Sequence, residues 1–200
     1  MACLVVIPVK SPGEGKSRLS GVLDAPARAR LARAMLLRVH AAVATAGNVA
    51  GVILAGTDRN GLPAELPLIA ATKPGLNTDL AAVLEWAKSS AARRLVIIAG
   101  DLPLLAARDV ELLAAASDGI VAIAPDRHET GTNALSLPLP QAAGFRLAFG
   151  PDSYALHRAE AQRLALEIEV IRSRGLAHDI DEPADLDEVK DHGLLTTETD

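Results

Sequence analysis

Three groups of residues place charge in patterns that chemistry can use. The first is Asp101, which follows the apolar run Leu95-Val96-Ile97-Ile98-Ala99 and Gly100. A run apolar at every position suits a strand buried on both faces, and a carboxylate at such a strand's carboxyl end lies where open α/β sheets bind ligands. An ionised oxygen there can hold a metal or a metal-bound phosphate. Asp101 could instead turn or cap the chain before a helix near Arg108. The second group is Asp179-Ile180-Asp181. In an extended segment these two carboxylates project from one face, and with Asp101 they could share a Mg²⁺ ion that keeps substrate phosphates and water as its other ligands. A helix start at Glu182-Pro183 would account for one of these acids but not both.

The third group is Lys10, Lys16 and Arg18, in a loop with Gly13, Gly15 and Gly21. Glycines let backbone N–H groups approach phosphates, and fixed cations offset triphosphate charge, so the loop can cradle a nucleotide. Its spacing is neither a Walker A nor a GxGxxG pattern, and a solvated charged loop is the alternative. Gly131-Thr132-Asn133 and Gly150-Pro151-Asp152-Ser153 are further polar clusters, readable as anion sites or as plain turns and caps. The histidines, at positions 40, 128, 157, 178 and 192, show no metal-ligand spacing. No nucleophile elbow or cysteine nucleophile setting is present, so covalent catalysis has no support.

These groups need elements to hold them. Strands are expected at Cys3–Val9, Val49–Ala55, Leu68–Ala71, around Leu95–Ala99, and at Ile120–Ala124. Helices are expected at Asp24–Ala46 with Asp24 as cap, at Thr78–Ser89 and at Arg108–Ala116. This alternation favours a parallel sheet with right-handed crossovers. After Pro125 the pattern changes: Asn133–Leu137 looks extended, a helix spans Ser153–Leu164 and Glu167–Ile171 alternates as a strand. Ala177–Asp181 reads as a short extended piece, Pro183–Lys190 as a terminal helix, and residues 193–200 as a frayed tail. The expected fold class is α/β, with a mixed, mostly parallel Rossmann-like sheet flanked by helices in a single domain of residues 1–200.

Composition narrows the partners. Half of the 200 residues are hydrophobic but only 2% are aromatic, so the core is built from Ala, Leu, Val and Ile, with few rings left to stack on bases. A net charge of −5 without a basic block argues against nucleic acid or a membrane surface as partner. The lone Cys3 lies in an apolar run and fits a reducing cytoplasm. No stretch reads as a signal peptide or membrane span, so a cytoplasmic location is expected. A homodimer is compatible with the chain, though nothing in the sequence specifies one.

Taken in order, IPVK (7–10), KSRL (16–19), GDLPLL (100–105), APDR (124–127), TGTNAL (130–135), FGPDS (149–153) and DIDEPADL (179–186) resemble one family. It is the 2-phospho-L-lactate guanylyltransferases of coenzyme F-420 biosynthesis, related to the nucleotidyltransferases of molybdopterin and sugar phosphates. The resemblance implies a GT-A-like fold that binds GTP and Mg²⁺ and guanylylates a small phosphorylated acid: 2-phospho-L-lactate, phosphoenolpyruvate or 3-phospho-D-glycerate. It further implies Asp101, Asp179 and Asp181 as metal ligands, and Thr132, Gly150 and Ser153 as contacts to the acid. Lys10, Lys16 and Arg18 fall in the nucleotide loop, where they would be catalytic as well. Thr57, Asp58 and Asn77 are candidate guanine contacts. Two alternatives remain. A same-fold enzyme of molybdopterin or a sugar phosphate would resemble LAGGxSxRMG where this chain has PVKSPGEGKSRL. A non-catalytic phosphate-binding module would bind without releasing pyrophosphate.

Overall fold

The computed structural model describes residues 3–10, 16–73 and 75–187. Its strands are β1 (Cys3–Pro8), β2 (Val49–Ala55), β3 (Leu68–Ile69), β4 (Arg94–Ile98), β5 (Ile120–Pro125), β6 (Thr132–Pro138) and β7 (Glu167–Val170). The helices are α1 (Ala25–Thr45), α2 (Leu76–Lys88), α3 (Ala107–Ala115), α4 (Ser153–Arg163) and the single turn α5 (Arg174–Ala177). One seven-stranded sheet runs in the order β3-β2-β1-β4-β6-β5-β7. All neighbours pair in parallel except at β6, which lies antiparallel between β4 and β5.

Every residue of β4 is buried: Leu95 to Ile98 are apolar, and Arg94 at its start is satisfied by Ser136 Oγ and the Ser117 carbonyl. Its side chains alternate between two cores. Val96 and Ile98 pack with Val39 and Val43 of α1 and Val110 and Leu113 of α3. Leu95 and Ile97 pack with Leu80 and Val83 of α2 and Tyr154 and Ala161 of α4. The sheet is thus covered on both faces, the condition that lets a central strand carry the apolar run Leu95–Ile98. Among the described residues, no helix is long and apolar enough to cross a membrane.

α1 begins where its cap predicts. The Asp24 carboxylate accepts from the Ala27 N–H at 2.7 Å, with Pro26 in the first turn. The extended piece expected at Ala177–Asp181 starts one residue later, after α5, which the Ser173 hydroxyl begins by accepting from Leu176 N–H at 3.1 Å; residues 178–181 pair with no strand. One expectation needs correction here. The helix expected from Pro183 is a 3-10 turn, Pro183–Asp185, running into Leu186 and Asp187; residues 188–200, including the expected tail, lie outside the described residues.

A third, smaller core supports the cleft. Ile180 is completely buried among Leu19, Leu31, Met35 and Leu186. Its burial forces the flanking Asp179 and Asp181 away from the core, as period-two geometry demands. Gly56, at the end of β2, has φ +146°, and a Cβ there would lie 2.2 Å from the Val9 carbonyl oxygen. Neither the backbone conformation nor the space admits a side chain. Gly56→Ala is expected to cost about 2 kcal/mol or more and to displace the chain at Val9, which denaturant unfolding will measure.

Candidate active site

A cleft of about 910 Å³ opens beyond the carboxyl ends of β1 and β4. Lys10, Lys16, Arg18, Asp101, Thr132, Gly150, Ser153, Asp179 and Asp181 all line it, although they come from distant parts of the sequence. The loop after β1, the end of β4, the start of β6, the start of α4 and the segment after α5 therefore converge. This is the crevice position that parallel strands create for ligands.

Lys16 stands at its centre. Its side chain is only 6% exposed, and its Nζ donates to Asp101 Oδ2 at 2.6 Å and to Asp181 Oδ1 at 3.0 Å. The residue has φ 55°, a left-handed conformation that starts the 3-10 turn Ser17–Leu19, and Leu19 anchors that turn in the small core beside Ile180. Burial alone would lower the lysine's pKa, but the two carboxylates outweigh it and hold the ammonium form above the usual range. Asp181 responds in the opposite sense: burial acts against ionisation, yet Lys16, with help from Arg18 and Lys10, brings its pKa below the usual carboxylate value. Arg18 is 68% exposed, with its guanidinium 3.8 Å from Asp181, and contributes a loose, solvated pairing.

Asp179 is the carboxylate left over. Its pKa is raised, first by burial and then by the nearby charge of Asp101; a bond from Asn133 Nδ2 to its Oδ1 at 3.2 Å offsets this only in part. The three aspartates therefore do not form a ready ligand set, and among the described residues no group of three such side chains is close enough to do so. The reason is the ammonium group seated between Asp101 and Asp181. Neither aspartate serves as the helix cap that was the local alternative. Asp109 accepts from the Ala106 N–H at the start of α3, and Asp185 accepts from the N–H groups of Asp181 and Glu182. Asp185 is itself paired with Arg127, which ties this segment to the β5–β6 loop.

The carboxylate oxygens of the cleft are hard donors of the kind a divalent cation takes, but Lys16 now engages Asp101 and Asp181, so its ammonium would have to give way for those two to join Asp179 on one ion.

Three candidate residues do not line the cleft. The Asp58 carboxylate accepts from Asn60 N–H at 2.6 Å, turning the chain so that Asn60 reaches the Lys10 carbonyl at 2.6 Å. Thr57 lies outside the lining as well. Asn77 sits inside α2, and its amide is spent on Phe149, accepting from its N–H at 2.8 Å and donating to its carbonyl at 2.9 Å. It clamps the backbone just before Gly150 and is not directed at a base. The start of α4 is also less open than a free helix terminus: the N–H groups of Ser153 and Tyr154 bond the carbonyls of Gly150 and Thr130.

Sequence reasoning missed Arg28, Arg30 and Arg33, which line the opposite wall from α1. For Arg28 the signal was present. Arg28 stands in the first turn of α1, where a cation opposes the macrodipole; it donates to the Leu23 carbonyl at 2.9 Å and lines the cleft from the same place, as a residue facing a polyanion would.

The fold is that of solved nucleotidyltransferases. A nucleotidyl transferase from Methanothermobacter thermautotroptrophicus superposes with TM-score 0.66 at 16% identity, over 98% of this chain and 99% of that one. CMP:2-keto-3-deoxy-manno-octonic acid synthetase, solved with CTP, gives 0.59 at 17% identity, over 96% and 98%. The family model "Guanylyl transferase CofC like" matches residues 3–200, and the chain belongs to that family. A phosphoenolpyruvate guanylyltransferase of Sphaerobacter thermophilus is 37% identical over 205 residues, covering 100% of this chain and 98% of the relative. A 2-phospho-L-lactate guanylyltransferase of Natrialba magadii is 36% identical over 207 residues, covering 96% and 85%.

The unbalanced charge at Asp179 has a measurable consequence. Its pKa lies above the unfolded value, so folding stability falls as pH rises through the interval between the two. A neutral amide removes that cost and can still accept from Asn133. Asp179→Asn is expected to raise Tm at neutral pH while slowing turnover, and paired melting curves and assays check both; an unchanged or lower Tm would contradict the charge imbalance.

Proposed function

We propose that the chain transfers GMP from GTP to the phosphate of a small phosphorylated carboxylic acid, phosphoenolpyruvate or 2-phospho-L-lactate in the first instance and 3-phospho-D-glycerate as a third, in coenzyme F-420 biosynthesis. Membership of the guanylyltransferase family supports the reaction and its GTP donor. The observation that carries the site assignment is the meeting of Lys16, Asp101, Asp179 and Asp181 with Thr132, Gly150 and Ser153 in one cleft. The first set suits a polyphosphate and its cation, the second a small anion beside it.

In the reaction a phosphate oxygen of the acid attacks the α-phosphorus of GTP in line. A new P–O–P bond forms, the bond to the bridging oxygen breaks, and pyrophosphate leaves with the electron pair. The attacking phosphate monoester is largely ionised at neutral pH, so no side chain need remove a proton. Lys16, Arg18 and Lys10 offset charge on the triphosphate, and Arg28 and Arg33 extend that cationic wall along the cleft. Asp101, Asp179 and Asp181 would hold Mg²⁺. When bound, it would supply charge neutralisation at the phosphates. Thr132, Gly150 and Ser153 orient the acid. Rate enhancement then comes from positioning and electrostatics.

The test is a mass-resolved turnover assay with Mg²⁺, GTP or ATP, and each of the three acids, with pyrophosphate followed in parallel. A guanylylated acid is the expected product. Thermal stabilisation by GTP without pyrophosphate release would overturn the enzymatic reading in favour of a binding module. Asp101→Asn should lower turnover by about 10² or more while remaining folded, by analogy with loss of one electrostatic stabiliser. Ser153→Ala should raise the KM for the acid more than that for GTP; equal rises would count against a local acid subsite.

A further inference from the structure

The reaction as derived makes no use of His157, yet this histidine reaches the cleft through one intermediary. It is completely buried on α4. Its Nε2 accepts from the Ala148 N–H at 3.0 Å, and its Nδ1 lies 3.0 Å from Oγ1 of Thr132. A backbone N–H can only donate, so Nε2 must present its lone pair. In a neutral imidazole the single ring proton is then on Nδ1. Burial lowers the pKa to about 4 and keeps the ring neutral. Phe149 meets it edge-on at 4.7 Å, and Phe145 lies at 6.0 Å, so the ring is also held by packing.

The Nδ1–H therefore donates to Thr132, whose hydroxyl accepts. With one of its two lone pairs engaged by the ring, the hydroxyl cannot donate back to the imidazole, so its hydrogen turns elsewhere, and Thr132 borders the cleft. A threonine hydroxyl normally rotates to donate or accept as its partner requires. Toward the imidazole that choice is taken away.

We propose that His157 is a positioning residue for the acid subsite: with its tautomer fixed by the Ala148 amide, it holds the Thr132 hydroxyl in place as an acceptor and so leaves the hydroxyl hydrogen for an acceptor group of the ligand. This rests on the reading of Thr132 as an acid contact. The group favoured is an ionised carboxylate or phosphate oxygen, because a hydrogen bond donated to a charged acceptor is about twice as strong as one donated to a neutral group. The same imidazole spans two segments of the acid wall, since Ala148 leads into Phe149 and Gly150 while Thr132 opens β6.

Two isosteric replacements separate this role from simple core packing. An asparagine amide falls near the position of Nδ1 and can still donate to Thr132, whereas a glutamine amide falls near Nε2 and keeps only the Ala148 contact. His157→Gln should raise the KM for the acid about tenfold and leave that for GTP within about twofold, the size expected for one lost hydrogen bond to an anion. His157→Asn should restore most of the acid KM. In a Thr132→Val background both replacements should lose their effect on the acid. Equal effects of the two variants on the acid and GTP, or effects that multiply with Thr132→Val, would overturn the proposal. ¹⁵N NMR of the imidazole tests the tautomer without turnover: a proton on Nε2 would also overturn it. Wild-type protein that guanylylates none of the three acids would instead refute the proposed function, a separate outcome from either failure.

Discussion

One buried ammonium group holds the cleft together. Lys16 joins the loop after β1, the end of β4 and the segment after α5 through Asp101 and Asp181. These segments share no sheet pairing with one another at that point. An ion pair taken out of water repays its desolvation only when its geometry is good and its partners are satisfied, and removing one member leaves a charge stranded. Lys16 meets the first condition with two short contacts. The second is left open at Asp179, where negative charge exceeds positive. A cleft arranged in this way is incomplete by itself, and a cationic component of the bound substrate would settle its charge.

The apolar parts of the chain serve the same arrangement. Ile180 is inserted between two carboxylates and buried in the small core under Lys16, so hydrophobic packing sets the direction of both acids. Leu19 does the same for the turn that Lys16 begins. Placing charged side chains on such anchored backbone limits their freedom before any ligand arrives, which is what electrostatic catalysis requires. On the acid side, the anchors are polar: Asn77 clamps Phe149, Asp126 accepts from the N–H groups of His128, Thr130 and Gly131, and His157 bridges Ala148 to Thr132.

Much of this was legible in the sequence, for reasons that differ by region. The uninterrupted apolar run before Asp101 specified a strand buried on both faces, and period-two spacing around Ile180 specified two acids on one side. Asp24-Ala25-Pro26 marked the start of α1 through local cap chemistry. The contacts that remained hidden are long-range. Nothing near Asn77 announces Phe149, and nothing near His157 announces Thr132, because those bonds depend on how α2, α4 and β6 meet. Thr57 and Asp58 looked suitable as polar groups at a strand end, but Asp58 is consumed by its own turn. The single turn α5 had no counterpart among the expected elements, because four residues are too few to establish a period of 3.6. Of the α1 arginines, Arg28 stood visibly at the unfavourable end of the helix dipole, whereas Arg30 and Arg33 lie in later turns, where only the packing of α1 beside the cleft reveals them.

The reversed strand has a consequence beyond topology. Because β6 runs against β4, the first residues of β6 meet the last residues of β4, with Ala99 N–H bonding the Asn133 carbonyl at 2.8 Å. A parallel strand in that place would have sent Thr132 and Asn133 to the opposite edge of the sheet. The inversion brings Asp126, Thr132 and Asn133 to the cleft shared by Lys10, Lys16, Arg18, Asp101, Asp179 and Asp181, with Gly150 and Ser153 at its rim. On the proposed reading, the acid wall thus comes from two short pieces of one part of the chain. Substitutions confined to those pieces would alter the small acid accepted, and Asn133, bonded to Asp179, is where such a change would be felt on the nucleotide side.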